Sequence, residues 1–129
     1  MEDIHIKEIK DTYIQPGVDF CSKTGECCIS GESFLEETGR FYTPLVEWLL
    51  KFFEKNNTIV FSFKLTYFNT STSKWILTIL SELKKMQDKG GNVTVYWYFH
   101  EDDVDMRDDI MNYMDDTGLN INLVPFPED

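Results

Sequence analysis

Four consecutive hydroxyl side chains, Thr70, Ser71, Thr72 and Ser73, stand between Asn69 and Lys74, and no other stretch of the chain is better placed to do chemistry. At the start of a helix, such side chains accept hydrogen bonds from backbone N–H groups that have no partner within the helix. A phosphoryl group added there would face the same donors and the positive end of the helix dipole. The local pattern therefore admits a well-capped helix and a modification site, and does not separate them.

The other reactive residues are less well arranged. Cys21, Cys27 and Cys28 include no CxxC spacing, and neighbours such as Cys27 and Cys28 would point to opposite faces of a strand. Reduced thiols are expected, not a zinc site with His5 or His100. A Ser or Cys nucleophile would need one of those two histidines, and no nucleophile-elbow motif is present. The phosphate-cradling patterns GxxxxGK[ST] and GxGxxG are absent. The acidic run Glu101, Asp102, Asp103, Asp105 offers oxygen ligands for a divalent cation, but Arg107 takes the third acidic position of an EF-hand frame starting at Asp103. It reads first as the acidic opening turn of a helix. A small-ligand or divalent-metal-binding domain built on this run is the alternative function. No active site and no cofactor are expected, so the chain reads as a non-enzyme.

These residues must be held by elements that the apolar pattern outlines. Ile59, Phe61, Phe63 and Leu65 alternate with Val60, Ser62, Lys64 and Thr66, as in a strand with one buried face. Trp75, Ile76, Ile79, Leu80, Leu83 and Met86 recur at helical spacing, which places the hydroxyl run at the helix start; Gly90 and Gly91 end it. Upstream, Ile6 to Ile14 predicts a loose strand, and Val18–Cys21 with Cys27–Ser30 a hairpin turning at Lys23, Thr24 and Gly25. Gly31 to Arg40 is polar and turn-rich. Phe41, Leu45, Trp48, Leu49, Phe52 and Phe53 mark a helix beginning either at Thr43-Pro44 or near Thr38. Val93 to Phe99 predicts a central strand, Met106, Ile110, Met111 and Met114 a third helix closing near Gly118, and Asn120 to Val124 a last strand. This order implies right-handed crossovers and a sheet that is at least partly parallel.

The 129 residues suit one domain spanning positions 1–129, with 42% hydrophobic composition sufficient for a core. A net charge of −11 argues against nucleic acid and acidic membranes as partners, since both select clustered Lys and Arg. No apolar run approaches the ~20 residues that span a bilayer. The first residues lack the basic start and apolar core of a secretory signal, so a cytoplasmic location is expected.

Leu65 to Ser73, with Pro44 to Leu49 and Val93 to Tyr98, resembles the SiaC family of bacterial regulatory phosphoproteins. The strongest piece is Tyr67-Phe68-Asn69-Thr70-Ser71-Thr72, like the family's Tyr-Leu/Phe-Asn-Thr-Ser-Ser/Thr signature. Gly31-Glu32-Ser33-Phe34-Leu35-Glu36-Glu37 departs from the family's usual Gly-x-Ser-Tyr-Pro-Glu-Asn. The resemblance implies a single α/β domain: a mixed sheet with about three helices mainly on one face, similar to the STAS-like anti-sigma-factor antagonists. It implies a non-catalytic switch in biofilm and c-di-GMP signalling, in which a cognate serine/threonine kinase modifies Thr70 and a metal-dependent serine/threonine phosphatase reverses this. The unmodified form would bind and activate a diguanylate cyclase or other effector protein, with Phe68, Asn69, Ser71, Thr72 and Lys74 as partner-binding residues around Thr70.

Overall fold

The structure is a computed structural model and describes residues 1–127. The chain opens with short strands β1 (Ile4–Ile6) and β2 (Gly17–Phe20), then the longer β3 (Glu26–Ser33). Three helix-to-strand units follow: α1 (Thr38–Phe53) with β4 (Thr58–Phe68), α2 (Thr70–Asp88) with β5 (Asn92–His100), and α3 (Val104–Thr117) with β6 (Asn122–Phe126).

The strands lie side by side in chain order, β1-β2-β3-β4-β5-β6. The first two pairings are antiparallel and the last three parallel, so the sheet is mixed as expected. Each parallel step moves in one direction across the sheet, and right-handed crossovers then place all three helices on the same face. Contacts of α1 with α2 and of α2 with α3 agree with that single helical layer.

Beneath the layer, Ile59, Phe61, Phe63 and Leu65 of β4 are buried against Leu45, Leu49 and Phe52 of α1 and Ile76, Ile79, Leu80 and Leu83 of α2. The other face carries no helix. A row in register across all six strands, His5, Asp19, Cys28, Ser62, Tyr96 and Asn122, is exposed or half-buried there. The hairpin turn depends on Gly25, whose φ of +76° is left-handed and whose added Cβ would sit 2.6 Å from the Thr58 carbonyl.

Two expectations need correction, and a third, left open between two positions, is resolved. The loose strand from Ile6 to Ile14 is not continuous: after β1 the chain makes a small excursion closed by paired bonds between Ile9 and Gln15 (3.1 and 2.9 Å). The polar stretch Gly31 to Arg40 is partly regular, because β3 runs to Ser33 and α1 starts at Thr38. Of the two starts proposed for α1 the earlier one holds, with Thr38 and Tyr42 buried and Pro44 inside the helix on an exposed position.

Candidate functional site

A β-bulge prepares the site. The register of β3 against β4 shifts between Gly31 and Glu32, so that Gly31 faces Leu65 but Glu32 faces Tyr67 and Ser33 faces Phe68. Thr66 is the extra residue, and its hydroxyl donates to the Gly31 carbonyl at 3.3 Å. The side-chain alternation of β4 is thereby reversed at its end. Phe68 turns inward, against Trp97 (6.1 Å between ring centres) and Tyr113 (6.4 Å), while Tyr67 turns out and is 49% exposed.

The strand ends at Asn69, which is extended (φ −83°, ψ 172°) and caps α2. Its Oδ1 accepts the Thr72 amide at 3.0 Å, the Thr72 hydroxyl at 2.6 Å and the Ser71 hydroxyl at 3.2 Å. Its Nδ2 donates to the Leu35 carbonyl at 3.0 Å, and its own amide to the Ser33 carbonyl at 3.1 Å. One residue thus joins the start of α2 to the segment between β3 and α1.

The four hydroxyls are sorted by depth. Thr72 is 0% exposed, and its Oγ1 lies 2.8 Å from the Ser33 hydroxyl, which in turn lies 2.8 Å from the Tyr42 hydroxyl. Burial pushes the Tyr42 phenol up to about 12, against the opposing effect of its bonds to Ser33 and Thr72. Ser73 is half-buried and bonds the Tyr113 hydroxyl at 2.5 Å; burial likewise raises that phenol to about 12. Ser71 is half-buried. Thr70 alone of the four is exposed, at the first position of the helix.

Of the first-turn amides, Thr72's is taken by the cap and Ser73's by the Asn69 carbonyl (3.1 Å), which leaves those of Thr70 and Ser71 without a hydrogen-bond partner among the described residues. Lys74 is exposed one turn beyond Thr70 and joins no ion pair among the described residues. A group attached to Thr70 would therefore meet unpaired N–H donors and one exposed cation nearby. The expectation that Thr72 faces a partner is corrected, since its side chain is wholly enclosed. Phe68 offers only part of its ring, and Asn69 spends its side chain on the cap.

The acidic run lies at the start of α3, beyond the carboxyl end of β5. Asp103 caps that helix, its Oδ1 accepting the Met106 amide at 2.9 Å. Among the described residues no three His, Cys, Asp or Glu side chains are grouped so as to hold a metal ion. Asp109 has its carboxyl raised by burial first and then by Asp105, Asp103 and Asp108. The cysteines form no reactive cluster: burial holds Cys27 far above its usual range and raises Cys28, whereas bonds from Thr24 and Lys23 lower Cys21. Among the described residues no helix is long and apolar enough to cross a membrane.

Sequence reasoning missed Ser33, Tyr42 and the outward turn of Tyr67. Ser33 continues the inward alternation of Cys27 and Ile29, a signal that was present; the bulge leaves one trace, Gly31 (φ +92°) at the register shift within the strand.

The sequence model for "SiaC family regulatory phosphoprotein" matches residues 9–126. A relative from Pseudomonas aeruginosa (strain UCBPP-PA14), described as an uncharacterised protein, is 24% identical over 100 residues, 77% of either chain. Apo-SiaC from Pseudomonas aeruginosa has a similar structure, with TM-score 0.82 and 21% identity over 96% of this chain and 99% of that one. A chain in the crystal structure of the diguanylate cyclase SiaD in complex with its activator SiaC, from the same species, gives TM-score 0.88 and 19% identity over 96% of this chain and 100% of that one. At such identities the structural likeness establishes the fold.

Proposed function

The chain belongs to the SiaC family of regulatory phosphoproteins, and from this premise we propose that it is a switch whose partner binding is gated by reversible phosphorylation of Thr70. As a member of that family it is a regulatory protein and not an enzyme. In the proposed cycle a cognate serine/threonine kinase modifies Thr70 and a metal-dependent serine/threonine phosphatase restores it. The unmodified form binds and activates an effector, a diguanylate cyclase by analogy with the partner named for SiaC of Pseudomonas aeruginosa.

The observation that carries this reading is the sorting of the hydroxyls: only Thr70 is exposed, on a helix start with open amides. Phosphorylation adds about −1.5 to −2 charges that those amides and Lys74 can receive in the free protein. Covered by an effector, the same group would have to shed its hydration, which is costly without a cation opposite. A difference of about 3 kcal/mol changes the affinity more than a hundredfold, enough for a switch.

Phosphopeptide mass spectrometry on protein from its native cells, with and without phosphatase, tests the modification. Phosphate on Thr70 that disappears with phosphatase is the expected result. A peptide spanning Asn69 to Lys74 that stays unmodified across growth conditions would leave a constitutive binding module instead.

A further inference from the structure

Around the carboxyl ends of β3 and β4, three large side chains project into solvent: Tyr13 (52% exposed), Phe34 (52%) and Tyr67 (49%). They belong together. The Phe34 and Tyr67 rings are 6.1 Å apart, and the Phe34 amide bonds the Ile14 carbonyl at 3.3 Å. Tyr13, Phe34 and Leu35 line a groove of about 550 Å³. Phe34 thus joins an exposed aromatic pair to a concavity, a common signature of a protein-binding surface.

Asp11, Glu36 and Glu37 also line this groove, with Lys10 the one cation among its lining residues. Lys10 is paired with Glu8 at 3.5 Å and Glu37 with Arg40 at 3.3 Å, which leaves Asp11 and Glu36 without an ion-pair partner among the described residues. The acidic turn that opens α3 stands at the same end of the sheet, because β3, β4 and β5 run parallel and all release their chain there.

We propose that this aromatic ledge is the surface on which the effector of the Thr70 switch docks, through a segment that is apolar on one side and carries Lys or Arg on the other. The proposal rests on the switch reading and names the chemistry of its partner. The apolar side fills the groove between Tyr13 and Phe34, and the cations meet Asp11 and Glu36. The tie to the switch is short: Asn69, adjacent to Thr70, holds the Leu35 carbonyl that follows Phe34. A phosphate on Thr70 would stand at the rim of the ledge and hold the partner's apolar side away from Tyr67.

The test is calorimetric titration of purified diguanylate cyclases encoded in the same genome. They are titrated into the unmodified protein, Phe34→Ala/Tyr67→Ala, Asp11→Lys/Glu36→Lys, and the control Leu50→Ala, an exposed apolar residue near the far end of α1. A cyclase that binds the unmodified protein and the control equally is expected to lose affinity at least ~30-fold with the ledge variant. Charge reversal is expected to cost at least ~10-fold and to flatten the salt dependence. Full affinity in either double variant overturns the docking surface and leaves the switch standing. If no cyclase binds the unmodified protein, the docking surface proposed for a cyclase fails, while phosphate found on Thr70 still carries the switch with an effector of another class.

Discussion

Replacing Thr70 by Ala removes an exposed side chain whose hydroxyl makes no bond within the described structure, whereas Thr72→Val removes a buried hydroxyl placed between Asn69 and Ser33. The first substitution is expected to change stability by less than about 0.5 kcal/mol and to abolish phosphorylation. The second is expected to cost about 1–3 kcal/mol, because Asn69 and the fully buried Ser33 each lose a partner. Urea unfolding of both variants measures the difference. Equal and large losses would return Thr70 to the role of a structural cap. The two hydroxyls are indistinguishable as residue types, and the sequence could not sort them. Depth follows from helical phase: Thr72 lies four positions before Ile76 on the inward stripe, and Thr70 falls outside it.

At the scale of the element, Asn69 caps a 19-residue helix and also pins the segment after β3. Asn69→Ala is expected to cost about 1–2 kcal/mol through the lost cap. It should also speed amide exchange from Leu35 to Thr38, far from its own helix, which hydrogen-exchange mass spectrometry would detect. Protection unchanged there would reduce Asn69 to a local cap. Helix α2 and strands β4 and β5 were legible because their apolar periods are long and unbroken. The start of α1 was ambiguous because Pro44 fits a first helical position as well as the exposed site it occupies. The bulge went unread: Thr66 fits a regular strand by type, and Gly31 at the register shift, with φ of +92°, fits the start of a turn-rich stretch as well as a bulge. The signature around Thr70 located the candidate site, but the ledge beside it depends on that bulge and so escaped sequence reasoning.

For the whole molecule, the buried phenols predict a limit at high pH. Tyr42 (0% exposed) and Tyr113 (6%) are both raised to about 12, mainly by burial, so the fold retains protons that the unfolded chain has given up. Their contribution is fully present below pH ~10, the ordinary tyrosine value, and is lost as pH rises toward about 12. Each is expected to steepen the decline by up to about 1.4 kcal/mol per pH unit within that window. Unfolding free energies measured from pH 9 to 12 should therefore fall less steeply in Tyr42→Phe and Tyr113→Phe; parallel curves would show that the phenols do not carry the effect.

The strand order β1 to β6 also bears on how the protein is made. Every strand pairs with the one before it in the chain, so none has to wait for a distant segment to be synthesised. A nascent chain leaving the ribosome can add one strand at a time to the last edge formed, burying each crossover helix as it goes. Until β6 emerges, that growing edge is β5 with Val95, Trp97 and Phe99, and β6, bearing Pro125, then closes it with an edge ill suited to further pairing. Until β6 docks, this apolar strand lies open, and the speed of that last pairing governs how long the unfinished sheet can recruit a neighbour.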